Sequence, residues 1–412
     1  MRAIQRGVLI ALLLALVCPA VVHAGGAQLY EVAAPTQGVA GNGQAAAARD
    51  ASTALLNPAG MQRLDRTQLM LGGEVLLGDV KFDQNSDTTF AGGNGGNQAN
   101  AIPVLTAFYV YNLMDDVKLG VSLASIAGGA LDPDNDWAGR FVTQEVGLTT
   151  LFVNPVVSLQ LVDWASLGVG FVTEWARLSD RIGFSNPRPG ADDGQIRIVD
   201  SDFGFGFNLG LLLEPRPGTR IGLAYRSQLD HDFDDDADFR NILGQTGERN
   251  LRTEFNIPQN IILSGYHQIT NELAVLADLG WTDWSIFDYT VLVGAAGRAV
   301  SIPRDWQDTW RIGIGFEYRV ADPWLLQAGF SYDSSPVKSS SRNFPDFPSD
   351  EQFRYAVGVV HDLNEDMSVA FSYELVDLGD AEVDVALPTG RLSGEYDNNY
   401  LHFMALSLNW KL

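Results

Sequence analysis

From about residue 66 onward the chain alternates between bulky apolar and small or polar positions. Phe203, Phe205, Phe207, Leu209, Leu211 and Leu213 are spaced by Gly204, Gly206, Asn208 and Gly210, a period of two that places the two classes on opposite faces of an extended strand. The pattern recurs at Ile312, Ile314, Phe316 and Tyr318, and again at Phe353, Tyr355, Val357 and Val359. It predicts strands near 66–80, 102–112, 117–128, 148–161, 166–178, 196–213, 219–229, 251–266, 272–284, 308–320, 324–333, 352–361, 366–386 and 398–412. One such strand fits a soluble sandwich as well as a membrane barrel. The connections separate the two. Those at 113–116, 162–165, 214–218, 268–271, 321–323 and 362–365 are short, and the others are long and rich in Gly, Asp, Asn, Ser and Pro. Short turns at one end and long loops at the other are the signature of an outer-membrane barrel. The expected fold is therefore an all-β transmembrane barrel of 14 antiparallel strands over 66–412, closed so that no edge is left. Trp164, Trp175, Trp281, Trp284, Trp310 and Trp324 fall near strand ends, as interfacial girdles require.

Two segments precede the barrel. Arg2 and Arg6 followed by an apolar run over 8–17 and the small residue Ala24 read as a cleaved signal peptide, 1–24, too short to span a bilayer. Residues 25–65 are dominated by Ala, Gly and small polar residues without alternation, and Asn57-Pro58 marks a turn. A compact segment of this kind suits a mostly helical hatch plugging the lumen better than a charged tail. Charge and cysteine content sharpen the picture. The chain carries a net charge of -24, and removing Arg2 and Arg6 with the signal leaves -26, which excludes a polyanion such as nucleic acid as partner. The single cysteine, Cys18, lies in the signal, so no disulfide is expected.

If bulky residues face lipid, the opposite parity lines the lumen, which then holds Arg226, Arg252, Glu254, Arg311, Glu317 and Arg354 among other charges of both signs. A balanced lumen argues against a porin tuned to one ion sign and suits an ion-paired scaffold that grips a plug. One or two of its arginines could instead meet a carboxylate cargo. Acidic residues crowd into what reads as a long loop, with Asp230, Asp232, Asp234, Asp235, Asp236 and Asp238. The pattern lacks the Gly and terminal Glu of a calcium loop, so solvation and cation binding stay open. No phosphate loop, nucleophile elbow or paired metal-ligand histidines occur, so no catalytic residue, metal or cofactor is expected; His231, read as an exposed loop histidine, is the one candidate for a lipid-acting enzyme.

Particular motifs carry a family resemblance. Gln28-Leu29-Tyr30-Glu31, Gly38 to Gly43, Ala45 to Asp50 and Asn57-Pro58-Ala59-Gly60 resemble the hatch of the FadL-type long-chain fatty acid and hydrocarbon transporters. Gly222 to Ser227, Ile257-Pro258 with Trp281 to Ser285, Asp308 to Arg311 with Gly315 to Arg319, and Ala328 to Pro336 follow in family order. The resemblance implies capture of a fatty acid or other hydrophobic molecule among the outer loops, passage past the hatch, and sideways exit at a kink in the third strand. It implies Asn57, Pro58, Ala59 and Gly60 as the hatch motif and Gly128 and Gly129 as the kink. Trp137, Phe141 and Val142, on an amphipathic helix over 136–145, would supply an apolar capture surface, and Arg181 the cationic head-group contact. Expected partners are the cargo, outer-membrane lipid and lipopolysaccharide, and the barrel assembly machinery, with the chain a monomer. The alternatives are a hydrocarbon channel of the same fold, a lipid-acting barrel enzyme and a general porin.

Overall fold

The computed structural model describes residues 29–186, 190, 192–294 and 299–412. The expected signal peptide lies outside the described residues. Fourteen strands close on themselves. They are β1 Gln68–Gln84, β2 Ala101–Met114, β3 Val117–Ala124 resuming as Gly128–Leu131, β4 Glu145–Val162, β5 Ala165–Phe184, β6 Gly194–Arg216, and β7 Thr219–Arg226 resuming as Leu229–Ile242. There follow β8 Gln245–Ile257 resuming as Asn260–Gln268, β9 Leu273–Thr282 resuming as Tyr289–Gly294, β10 Ala299–Pro303 resuming as Thr309–Ala321, β11 Trp324–Asp333, β12 Gln352–Asp362, β13 Met367–Asp377 resuming as Ala381–Leu387, and β14 Gly390–Lys411. Each strand pairs antiparallel with its neighbours, and β14 returns to β1 from Gln68↔Lys411 to Gln84↔Gly394, so the ring is complete. Closure satisfies most of the backbone of the membrane-spanning strands, which a bilayer cannot do.

The alternation sorts as expected on the outer wall. Along β10, Trp310, Ile312, Ile314, Phe316, Tyr318 and Val320 are exposed, while Arg311 and Glu317 between them are buried. Inside, residues 29–65 form a chain of short turns, Pro35–Val39, Thr53–Leu56 and Pro58–Arg63, packed against the inner faces of several strands. The small residues of the wall make this possible. A side chain at Gly329 would overlap the Val39 carbonyl, and one at Gly222 the Ala45 carbonyl. Gly43, at φ +74°, turns the segment so that its N–H donates to Asp278 Oδ1 at 2.7 Å.

Three expectations are corrected. The acidic run expected as a loop is the second half of β7, where Leu229, His231, Phe233 and Ala237 are buried and Asp230, Asp232 and Asp234 are exposed. Its period of two is hidden by the Asp-rich composition. His231 is accordingly buried at 1% exposure, not a free loop histidine. The helix expected over 136–145 is a single 3-10 turn, Ala138–Phe141.

Candidate functional site

The N-terminal segment is tied to the wall by inward-facing polar side chains. Asn57, fully buried, donates through Nδ2 to Ala45 O at 2.6 Å and to Leu211 O on β6 at 3.0 Å, while its Oδ1 accepts from Ala59 N at 3.1 Å. Pro58 opens the following turn, and Ala59 O accepts from Ser166 Oγ at 2.9 Å. Gly60 N donates to Asn57 O at 2.8 Å, and a side chain at Gly60 would overlap Thr53. Asn42 plays a similar part on the far side, with Nδ2 reaching Ile314 O at 3.1 Å and Phe330 O at 3.0 Å.

Charges complete the attachment. Arg311 donates to Ala40 O at 2.5 Å and lies 3.1 Å from Asp333, and Arg354 bridges Asp333 and Glu31, the latter at 3.0 Å. Tyr30 lies between these two guanidiniums, its ring centroid 4.2 Å from Arg311 and 5.1 Å from Arg354. Glu317 pairs with Arg49 of the segment. Arg311, Glu317 and Arg354 thus meet at residues 29–65. Arg252 and Glu254 do not, which corrects their placement in the lumen: they pair with Asp232 and with each other on the exposed face of β7 and β8. The reason is the interruption at Pro258 and Gln259. Below it even positions such as Asn260, Ile262 and Ser264 are buried, and above it odd positions from Leu251 to Ile257 are, so the faces exchange.

The third strand breaks where the segment begins. Ala124 pairs with Phe152 and Gly128 with Thr149, so β3 carries one more residue than β4 across the interval, a bulge at 125–127. Pairing with β2 stops at Ala107↔Leu123, leaving 101–106 of β2 without a β3 partner. The break lies just before Gly128 and Gly129, which sit in the resumed, fully buried strand; this corrects the kink's position by up to three residues. Ile126 O within the bulge accepts from Leu29 N at 2.8 Å.

Beside that bulge lies a small pocket of about 20 Å³ with a mixed lining, in which Leu29, Leu55, Leu56 and Ile126 face Gln44, Asn208, Asn260 and Arg226. Arg226 stands over the Phe152 ring at 5.5 Å, its Nε has no hydrogen-bond partner, and no carboxylate lies within 4.0 Å of it among the described residues. On the other side of the segment a cavity of about 410 Å³ faces the short-turn end, with Arg49, Arg220, Tyr266 and Glu317 in its lining.

The outer loops continue the apolar interior. One buried cluster joins Leu29, Val32 and Leu55 through Phe108, Ile126 and Phe152 to Phe82, Phe90 and Trp137. Trp137, expected at an open capture surface, is fully buried; its Nε1 donates to Thr143 O at 3.0 Å and its ring meets Phe82 edge-on at 5.9 Å. Phe141 and Val142 are half-buried against the same cluster, with Phe141 5.2 Å from Phe90. Arg181, expected at a head group, is held by Glu145 at 2.9 Å and Asp132 at 3.5 Å. Nearby, burial and then Asp346 push the Asp180 carboxyl up to about 7, against the opposing pull of Arg304.

These features meet in a known family. The family of outer membrane protein transport proteins (OMPP1/FadL/TodX) matches residues 15–411. The chain belongs to it. The barrel is accordingly a bacterial outer-membrane one. The long-chain fatty acid transport protein of Escherichia coli (strain K12) is 27% identical over 387 residues, covering 84% of this chain and 86% of its own. Outer membrane protein P1 of Haemophilus influenzae is 24% identical over 402 residues, covering 85% and 86%. Among solved structures, a Pseudomonas aeruginosa FadL homologue superposes with a TM-score of 0.87 at 20% identity, covering 94% of this chain and 99% of that one. The Pseudomonas putida toluene transporter TodX superposes at 0.68 and 16%, covering 95% and 99%.

Two features of the family member's site were not read from sequence. Asp333 and Tyr30 hold the arginine pair, and their signal in the sequence is only their place in the motifs Ala328 to Pro336 and Gln28 to Glu31. The isolation of Arg226 was invisible because its would-be partners depend on the parity of interrupted strands.

Proposed function

We propose that this chain is a channel for passive uptake of long-chain fatty acids across the outer membrane. Residues 25–65 act as the hatch, and the bulge at 125–127 is the lateral exit. The observation that carries the fatty acid is Arg226, a guanidinium in the pocket beside the bulge that makes no close ion pair among the described residues, its nearby carboxylate Glu174 being engaged by His231. A cation so placed lacks a direct hydrogen-bonded carboxylate and is matched by one joined to an alkyl chain. A pocket of about 20 Å³ has no room for such a chain, so cargo enters as the hatch residues Leu29, Leu55 and Leu56 give way. The bond from Leu29 N to Ile126 O couples that movement to the exit. A molecule leaving through the gap beside β2 enters apolar surroundings without crossing bulk water. Loop residues Phe141 and Val142 guide cargo toward the buried cluster, and Trp137 supports them from below.

Uptake of labelled oleate and of toluene by a host lacking its own channel tests the reading. The native chain is expected to take up oleate above vector background. Arg226→Gln is expected to raise the half-saturating oleate concentration about tenfold, the lower end of a lost charge-assisted hydrogen bond of about 1.5–3 kcal/mol, and to leave toluene unchanged. Toluene uptake without oleate uptake would replace the fatty acid by a hydrocarbon.

A further inference from the structure

The ring of backbone hydrogen bonds opens at a second place. Between β6 and β7 the ladder runs from Arg216↔Thr219 up to Asn208↔Arg226 and resumes only at Arg197↔Asp238. Over 198–206 of β6 and 228–237 of β7 no residue of one strand is paired with the other. Both strands stay paired on their far sides, β6 with β5 from Ala165↔Leu213 to Phe184↔Gly194 and β7 with β8 from Ile257↔Leu229 to Gln245↔Ile242. The seam is therefore a slot bounded on both sides by continuous ladder. Its cause is the interruption at 227–228, where the inward parity of β7 changes from even, at Arg220 and Gly222, to odd, at Leu229, His231 and Phe233.

Side chains close the slot. Asp202 Oδ2 accepts from Asp232 N, and Asp200 Oδ2 from Asp234 N, each at 2.9 Å, and Ser227 Oγ accepts from Phe207 N at 2.9 Å. On the inner side His231 crosses β6 entirely. Its Nε2 lies 3.2 Å from Glu174 Oε1 on β5, and it passes over Gly204, where a Cβ would sit 2.8 Å from His231 Cε1. Glycine is required there for the ring to pass. The other ring nitrogen has no hydrogen-bond partner, with Asp202 Oδ2 at 3.8 Å. The lower end of the slot meets the pocket below Arg226, since Asn208 and Arg226, the last paired rung beneath the slot, both line that pocket. Outside it, Phe203, Phe205 and Phe207 stand exposed on the lipid-facing side.

A seam held by backbone ladder opens only by breaking the sheet, whereas one held by side chains opens by rotating them. We propose that the β6–β7 slot is a second lateral passage, latched by His231 on Glu174, through which an apolar chain dissolved in the outer leaflet exchanges with the pocket below Arg226. The slot deepens the uptake reading and rests on it. The aromatic shelf supplies the lipid-side contact, and rotation of one imidazole clears the path above Gly204.

The test uses the absence of cysteine from residues 25–412. Gly204→Cys combined with His231→Cys removes the latch and places two thiols across the slot, and dibromobimane joins them with a fluorescent signal. Oleate uptake by the unjoined double variant is expected to equal or exceed that of the native chain, and joining is expected to lower it about twofold, to the share carried by the gap beside β2. Equal uptake before and after joining overturns the slot while leaving the channel reading intact; absence of uptake by the native chain overturns the channel reading itself. Should the double variant fail to give a folded barrel, Asp202→Cys with Asp232→Cys makes the same comparison with His231 in place.

Discussion

Asp180 lies on β5 beyond Arg177, whose exposed, outward side chain marks a level above the lipid-facing Leu167, Val169 and Phe171. Its carboxyl is raised to about 7 by burial and by Asp346, from an ordinary value near 3.8. A raised folded pKa means that the folded chain holds the proton more tightly than the unfolded one. The associated stability is then complete below about pH 4 and is lost as pH climbs through 7. Asp180→Asn keeps the shape and removes the titration. The variant is expected to melt with the native chain at pH 3 and several degrees above it at pH 8, measured by the thermal transition in detergent. Identical transitions at both pH values would show that Asp180 is ionised at no cost in the fold. The same scale separates the arginines. Arg311 and Arg354 are fixed by Asp333 and Glu31 and Arg181 by Glu145, whereas Arg226 makes no close ion pair among the described residues, and this difference rather than residue type supports it as the cargo contact.

At the scale of elements, the consequential features are single inserted residues. The bulge at 125–127 turns β3 away from β2 and opens the wall, so deleting Ala127 is expected to bring the ladder into continuous register with β4 and close the gap. Oleate uptake should then fall about twofold, to the share carried by the β6–β7 slot, while the barrel keeps the heat-modifiable mobility of a folded one on a gel. Undiminished uptake in a folded variant would remove the exit from this seam. The same features explain what the sequence could disclose. Alternation of period two made the strands and their tight turns legible, because a buried inner face and a lipid outer face both demand it. A bulge shifts that period by one residue and looks like an irregularity of composition. Parity carried across 258–259 therefore placed Arg252 and Glu254 on the wrong face, and the Asp-rich half of β7 passed for a loop. The Asn57 turn was legible because Asn-Pro has a local meaning, whereas the latch from His231 to Glu174 joins strands far apart in sequence and follows from no local signal.

For the molecule as a whole, the apolar belt fixes where the membrane lies. On β10 the belt runs from Trp310 to Val320, with a tight turn at Asp322 and Pro323 just beyond, so Val320 marks the short-turn rim and Ile314 lies near mid-depth. Ten residues of tilted strand cover about 25 Å, the height of such a belt. The arrangement accounts for an acidic chain that is also a membrane protein, since carboxylates such as Asp230, Asp232 and Asp234 stand above the belt and Glu317 and Asp278 are turned inside it. A cation introduced on the outer face should then cost free energy according to depth. Ile314→Arg is expected to destabilise the barrel by about 2–4 kcal/mol and Val320→Arg by about 0–1 kcal/mol, read from urea-dependent unfolding in lipid vesicles. Equal costs at the two positions would displace the membrane from this level and with it the lipid-side setting of both lateral gaps. The expected gradient would place the β2–β3 gap and the lower β6–β7 slot within reach of acyl chains, because Leu105 on β2 and Phe205 and Phe207 on β6 share the outer face that β10 exposes.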